Sequence, residues 1–227
     1  MVSHKHKIIF IHIPKCAGSS IRDFYFDKPN LNWREPNYEL LYGWCPKRKI
    51  HLQHATSKQL LELDLITETI WNEYFKFTFT RNPYDRAYSD YLWIQKDQNL
   101  KGSFKDYITR SGAFKKTLSD YSVKDYRGDH LLNQVDFFDL SGRFKMDFIG
   151  RFESLNEDIF DLNAKLGISK EFNIHTKKST SRKPHYSHFY TNTKMRLVEK
   201  YFKKDINSLN YDFEDERKGI QTIKKWI

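Results

Sequence analysis

The chain is poor in the residues that cross-link or interrupt a fold. Two cysteines, Cys16 and Cys45, in 227 residues are too few for a disulfide scaffold or a zinc site. Two reduced thiols are expected, with a Cys16–Cys45 bridge as the alternative. With only 9 Gly and 6 Pro, nothing reads as repetitive, low-complexity or disordered. No apolar run approaches a membrane span, and the apolar part of the N-terminal stretch is too short for a secretory signal. A soluble, cytoplasmic protein is the expectation. Two nucleotide signatures are also missing. There is no G-x-x-x-x-G-K-[ST], which disfavours a nucleoside triphosphatase, and no G-x-G-x-x-G, which disfavours a dinucleotide-binding fold. No H-x-x-x-H or cysteine cluster points to a metal, and none is expected.

What is abundant is aromatic and basic. The chain holds 18 Phe, 14 Tyr and 5 Trp and carries a formal charge of +10. That charge favours an anionic partner: nucleotide, acidic glycan, nucleic acid or membrane surface. The length suits one domain, 1–227, with a sizeable core.

The organising stretch is Lys7 to Arg22, KIIFIHIPKCAGSSIR. Ile8, Ile9, Phe10, Ile11 and Ile13 read as a strand buried on both faces. Pro14 stops it. Gly18 supplies positive φ or a close backbone approach, and Ser19 or Ser20 caps a helix running to about Phe26. Between strand and helix, Lys15 and the loop N–H groups make an anion cradle. Similar junctions also occur without a ligand, so this stretch alone does not decide.

Further along, Lys49 to His54 reads as a short strand, with His51 and His54 on opposite faces. Thr56 and Gln59 form a capping box for a helix from about Ser57. Glu73 to Thr80 alternates Phe75, Phe77 and Phe79 with polar residues, as a strand does. It ends at Arg81, and Asn82, Pro83 and Asp85 then start a helix. Ser89 lies two turns into it. His130 to Leu140 reads as helix and Lys145 to Arg151 as a third strand. Ser154 and Glu157 form another capping box, opening a helix that Gly167 ends. A basic stretch, Lys177 to Pro184, precedes a last helix at about Thr193 to Ile206. Strands alternating with helices imply an α/β fold with a parallel sheet and helices on both sides. In such a sheet Lys15, His54 and Arg81, each at a strand end, share one edge.

These residues carry a family resemblance. IHIPKCAGSS resembles the 5′-phosphosulfate loop of carbohydrate sulfotransferases, the branch that includes heparan sulfate 2-O-sulfotransferase and bacterial relatives. FTFTRNPYDRAYSDY is similar to that family's 3′-phosphate motif. IGRFESLNEDIFDLNAKLGI and the pattern of Tyr201, Asp205 and Tyr211 also resemble family segments, so the likeness spans nearly the whole chain. It implies a P-loop-like architecture and the donor 3′-phosphoadenosine 5′-phosphosulfate, with a saccharide hydroxyl as acceptor. Lys15 would stabilise the leaving group, and the N–H groups of Cys16, Ala17, Gly18, Ser19 and Ser20 would hold the 5′-phosphate. Arg81 and Ser89 would take the 3′-phosphate. Ser181 and Arg182, in the basic stretch, would belong to a donor-covering loop. His54 is the expected base, with His51 in reserve. Unlike the Golgi-anchored relatives, this chain shows no N-terminal span, so a soluble bacterial-type enzyme is expected. The acceptor elements are placed in Asp27 to Pro46 and Phe104 to Gly128. The competing readings are a kinase-like phosphotransferase, which needs ATP and magnesium, and a non-catalytic module for acidic glycan or nucleic acid.

Overall fold

A computed structural model of the chain describes residues 1–26, 31–172 and 183–225. Strands β1 (Val2–Ser3) and β2 (Ile8–Ile11) lead to helix α1 (Gly18–Tyr25). A hairpin of β3 (Trp44–Cys45) and β4 (Ile50–His51) follows, then a 3₁₀ turn at Leu52–His54. After α2 (Ser57–Glu62) and α3 (Glu68–Glu73), β5 (Phe75–Thr80) runs to α4 (Pro83–Asp97). Next come α5 (Phe104–Ile108), α6 (Lys115–Ser119), β6 (Phe148–Arg151) and α7 (Leu155–Leu166). The last helices are α8 (Asn192–Tyr201) and α9 (Lys203–Ser208). The main sheet has the order β1-β2-β5-β6. Its β2–β5 and β5–β6 pairs are parallel, and β1 is an antiparallel edge. The α/β class and the mostly parallel sheet are therefore as the sequence implies.

The described chain gathers into two compact units. The first comprises Met1–Arg81, Tyr121–Lys124 and Gln134–Thr176 and contains the sheet with α1, α2, α3 and α7. Ile8, Ile9, Phe10 and Ile11 are all buried, because β2 lies between two other strands and is covered on both faces. Each such side chain contributes about 1.5–3 kcal/mol through burial, and a polar residue within this run would forfeit it. Phe10 pairs in register with Phe77 of β5, their rings stacked at 5.1 Å. The polar face of β5 is buried too: Thr78 donates to the carbonyl of Ile11 at 2.7 Å and Thr80 to that of Gly150 at 3.3 Å. Gly150 lacks a side chain because a Cβ there would sit 2.3 Å from the Phe79 ring.

The second unit comprises Asn82–Asp120, Asp125–Asn133 and Lys177–Ile227. Its core is aromatic: Tyr84, Tyr88, Phe104, Tyr107, Phe114, Tyr186, Tyr190 and Phe202 are all buried. The phenols need partners there. Tyr190 donates to the carbonyl of Tyr84 at 2.7 Å, and Tyr107 to Asp90 at 2.9 Å. Burial, and then the Asp90 carboxylate, hold Tyr107 well above the usual phenol range, so it stays a donor. Asn82 caps α4, accepting from the N–H of Tyr84 at 3.1 Å, with Pro83 in the first turn, as its sequence requires.

Several local readings need correction. The expected strand Lys49 to His54 is two residues of hairpin followed by a 3₁₀ turn, outside the main sheet. His51 and His54 are consequently not on opposite faces; their rings are 6.4 Å apart. The expected helix His130 to Leu140 is replaced by 3₁₀ turns at Gly128–Leu131 and Gln134–Asp136. Helix α1 is capped by the backbone of Ala17, not by Ser19 or Ser20. The Ser154 box is not made: its hydroxyl bonds Asp158 at 2.9 Å, one position beyond Glu157. The Thr56–Gln59 box is made in both directions, at 3.0 and 3.2 Å. Both cysteines are buried free thiols, not a bridge.

Candidate active site

The Pro14–Gly18 loop follows directly from β2, the central strand of the first unit. Lys15 and Ala17 both have left-handed backbone, with φ 69° and 63°, and Cys16 between them does not. Such alternation curls successive N–H groups around a concavity suited to an anion. Left-handed conformation strains residues with a Cβ, and here two of them share one five-residue loop. Helical geometry leaves the N–H groups of Gly18, Ser19 and Ser20 without partners inside α1. No acidic residue occupies the first turn of that helix, so its positive pole is not neutralised locally. Cys16 departs from expectation, because its N–H is taken by the carbonyl of Ile13 at 3.3 Å.

Gly18 is explained by approach, not by φ. A Cβ there would lie 1.6 Å from Nε2 of His12, so that imidazole packs directly on the loop backbone. His12 also stacks on Phe10, with centroids 5.3 Å apart, and meets the His54 ring at 4.6 Å.

Arg81 closes the other side. It follows β5, the parallel neighbour of β2, so loop and arginine leave the sheet at the same edge. Its side chain is buried, lies over Phe152 at 3.8 Å and donates through Nη1 to the carbonyl of Lys15 at 2.9 Å. Gln134, fully buried, locks the arrangement. Its Oε1 accepts from the Arg81 N–H at 2.8 Å and from the Cys16 thiol at 3.3 Å, and its Nε2 donates to the Arg81 carbonyl at 2.8 Å. One amide thus grips both the loop and the strand end.

His54, half-buried, has Nδ1 3.0 Å from the carbonyl oxygen of His12. A carbonyl only accepts, so Nδ1 carries the proton and the neutral ring keeps its lone pair on Nε2. His51 is buried among Trp33, Trp44 and His54, with Nε2 donating to the Lys124 carbonyl at 3.0 Å. Its surroundings are those of a packing residue.

The first unit therefore brings together Lys15, Cys16, Ala17, Gly18 and Arg81, with His54 joined to the same strand end through His12. Ser89 is half-buried on α4 in the second unit. Ser181 and Arg182 fall outside the described residues. Two participants were missed from sequence. His12 is the one polar residue inside IIFIHI, an interruption that was there to be noticed. Gln134 carries no local signal at all.

No described helix is long and apolar enough to cross a membrane. Over 112 residues the chain is 26% identical to an uncharacterised protein of Archaeoglobus fulgidus, covering 48% of this chain and 81% of that one. A crystal structure of a sulfotransferase from Alicyclobacillus acidocaldarius aligns with a TM-score of 0.44 at 14% identity, over 93% of this chain and 98% of that one. Residues 1–212 match the model of the sulfotransferase family, and the chain belongs to that family.

Proposed function

We propose that the protein transfers the sulfonate group of 3′-phosphoadenosine 5′-phosphosulfate to a hydroxyl of a carbohydrate. The observation that carries this reading is the hydrogen bond between the Arg81 guanidinium and the Lys15 carbonyl. That contact joins the Arg81 side chain to the Lys15 loop, which supports a nucleotide with separate 3′ and 5′ anionic groups as the ligand. The N–H groups of Ala17, Gly18, Ser19 and Ser20 take the 5′-phosphate, and the planar fork of Arg81 takes the 3′-phosphate.

The acceptor oxygen attacks sulfur in line. A new O–S bond forms as the bond from sulfur to the bridging phosphate oxygen breaks, and negative charge builds on that oxygen. Lys15 is the group assigned to stabilise it. The acceptor's proton passes to Nε2 of His54, the atom that its Nδ1 contact leaves basic.

Calorimetry with 3′-phosphoadenosine 5′-phosphate and with AMP tests the donor assignment. Charge-assisted hydrogen bonds of about 1.5–3 kcal/mol predict at least about tenfold tighter binding of the bisphosphate; equal affinities refute it. His54→Ala should slow turnover by about 10²–10⁴-fold with bisphosphate affinity nearly unchanged. Retained turnover removes His54 from the base role.

A further inference from the structure

The Pro14–Gly18 loop needs support from outside itself. Lys15 and Ala17 both hold left-handed backbone, φ 69° and 63°. That conformation is strained for residues with a Cβ and persists only where the surroundings enforce it. Ala17 has no side chain long enough to anchor it, and Gly18, next in the chain, has none at all. What meets this backbone is the His12 ring. The three atoms nearest to an ideal Cβ on Gly18 all belong to that imidazole: Nε2 at 1.6 Å, Cδ2 at 2.0 Å and Cε1 at 2.3 Å. Gly18 opens α1 without left-handed backbone of its own, so its bare Cα serves to admit the ring.

The ring is itself fixed. His12 lies just past β2 and, two residues on from Phe10, shares its side of the strand. It stacks on Phe10 at 5.3 Å and 13°, and Phe10 stacks on Phe77 of β5 at 5.1 Å and 18°. An aromatic column thus runs from the middle of the sheet to the loop, and its base, Phe77 and Phe10, is buried. The carbonyl of the same residue faces Nδ1 of His54 at 3.0 Å. Position 12 therefore touches two parts of the site with different atoms.

We propose that His12 is a positioning residue whose imidazole holds the Pro14–Gly18 loop in its anion-binding curl, while its carbonyl separately orients His54. The proposal rests on the donor reading above, in which this loop takes the 5′-phosphate. Without the ring, the backbone at Ala17 and Gly18 can relax out of the curl. Only the curled fraction then binds, and apparent affinity falls by that fraction.

The test uses His12→Val in the full chain. Valine suits extended backbone and keeps the main-chain carbonyl, but it ends at Cγ and leaves nothing where Nε2 and Cε1 stand. Release of one left-handed residue should weaken 3′-phosphoadenosine 5′-phosphate about 5–30-fold in calorimetry. Turnover at saturating donor should stay within a few-fold, since only binding is lost. A purely structural role would lower Tm and leave the affinity of the folded protein unchanged. Gly18→Ala drives a methyl group into the ring and should weaken the bisphosphate as well. In the double variant that methyl enters the vacated space, and affinity should recover above that of Gly18→Ala alone. His12→Ala takes the place of His12→Val if valine does not fold. Parent-like affinity in the His12 variant, slowed turnover at unchanged affinity, or no recovery in the double variant overturns the proposal. If the parent binds the bisphosphate and the His12 variant binds it equally, only the role of His12 fails. If the parent does not bind it, the donor reading fails and this role with it.

Discussion

Lys15→Ala should lower kcat by about 10²–10³-fold, the effect of removing one donor aimed at developing charge. The fold should survive. Lys15 is half-buried, and the contact that ties its segment to Arg81 is made by its carbonyl, which alanine also has. Alanine is strained at φ 69° as lysine is, so the substitution isolates the ammonium group from the loop's shape. Lys15→Arg keeps the charge but replaces a compact ammonium by a broad fork, and should recover only part of the rate. Turnover with a labelled donor, read beside bisphosphate affinity, checks both. Activity within a few-fold of the parent would remove Lys15 from the chemistry, whatever happened to binding.

Gln134→Leu should have the largest effect on stability. The side chain is fully buried and satisfies the N–H and C=O of Arg81 together. Leucine has similar bulk and no polar atoms, so both backbone groups lose a partner where water does not reach. At about 1–3 kcal/mol for each of the two unsatisfied groups, a loss of roughly 2–6 kcal/mol is expected, a large part of a typical stability of about 5–15 kcal/mol. At about 2–4 °C per kcal/mol for a chain of this size, that lowers Tm by roughly 4–24 °C. Bisphosphate affinity should fall with it, because Arg81 loses its fixed backbone. Gln134→Glu keeps the acceptor but removes the donor and adds a buried charge near the anion loop, so it should not rescue. A Tm within about 2 °C of the parent in the leucine variant would show that Gln134 does not hold the corner.

The parts of this fold that were legible in sequence are those where local pattern and burial agree. The run Ile8 to Ile11 and the alternating phenylalanines of β5 announce central strands, and the structure pairs them in register. Thr56 with Gln59, and Asn82 with Pro83, announce helix starts whose hydrogen bonds lie within four residues. What was illegible depends on distant partners. The carbonyls of His130 and Leu132 are taken by Arg86, more than forty residues earlier in the chain. The Gln134 amide serves Arg81. Those bonds replace an internal helical ladder, and the segment forms two short turns where its composition alone favours a helix. His54 was expected at the carboxyl end of a strand, and that support is absent. A short turn after a hairpin carries it, not a strand of the main sheet.

The acceptor facing Nδ1 of His54 is the main chain of residue 12. Every amino acid carries the same C=O, so drift at position 12 changes which side chain meets the imidazole but leaves its orienting contact in place. Proton placement on the ring is therefore inherited from where a strand terminates. It is buffered against substitution and vulnerable instead to any insertion or deletion that moves that terminus.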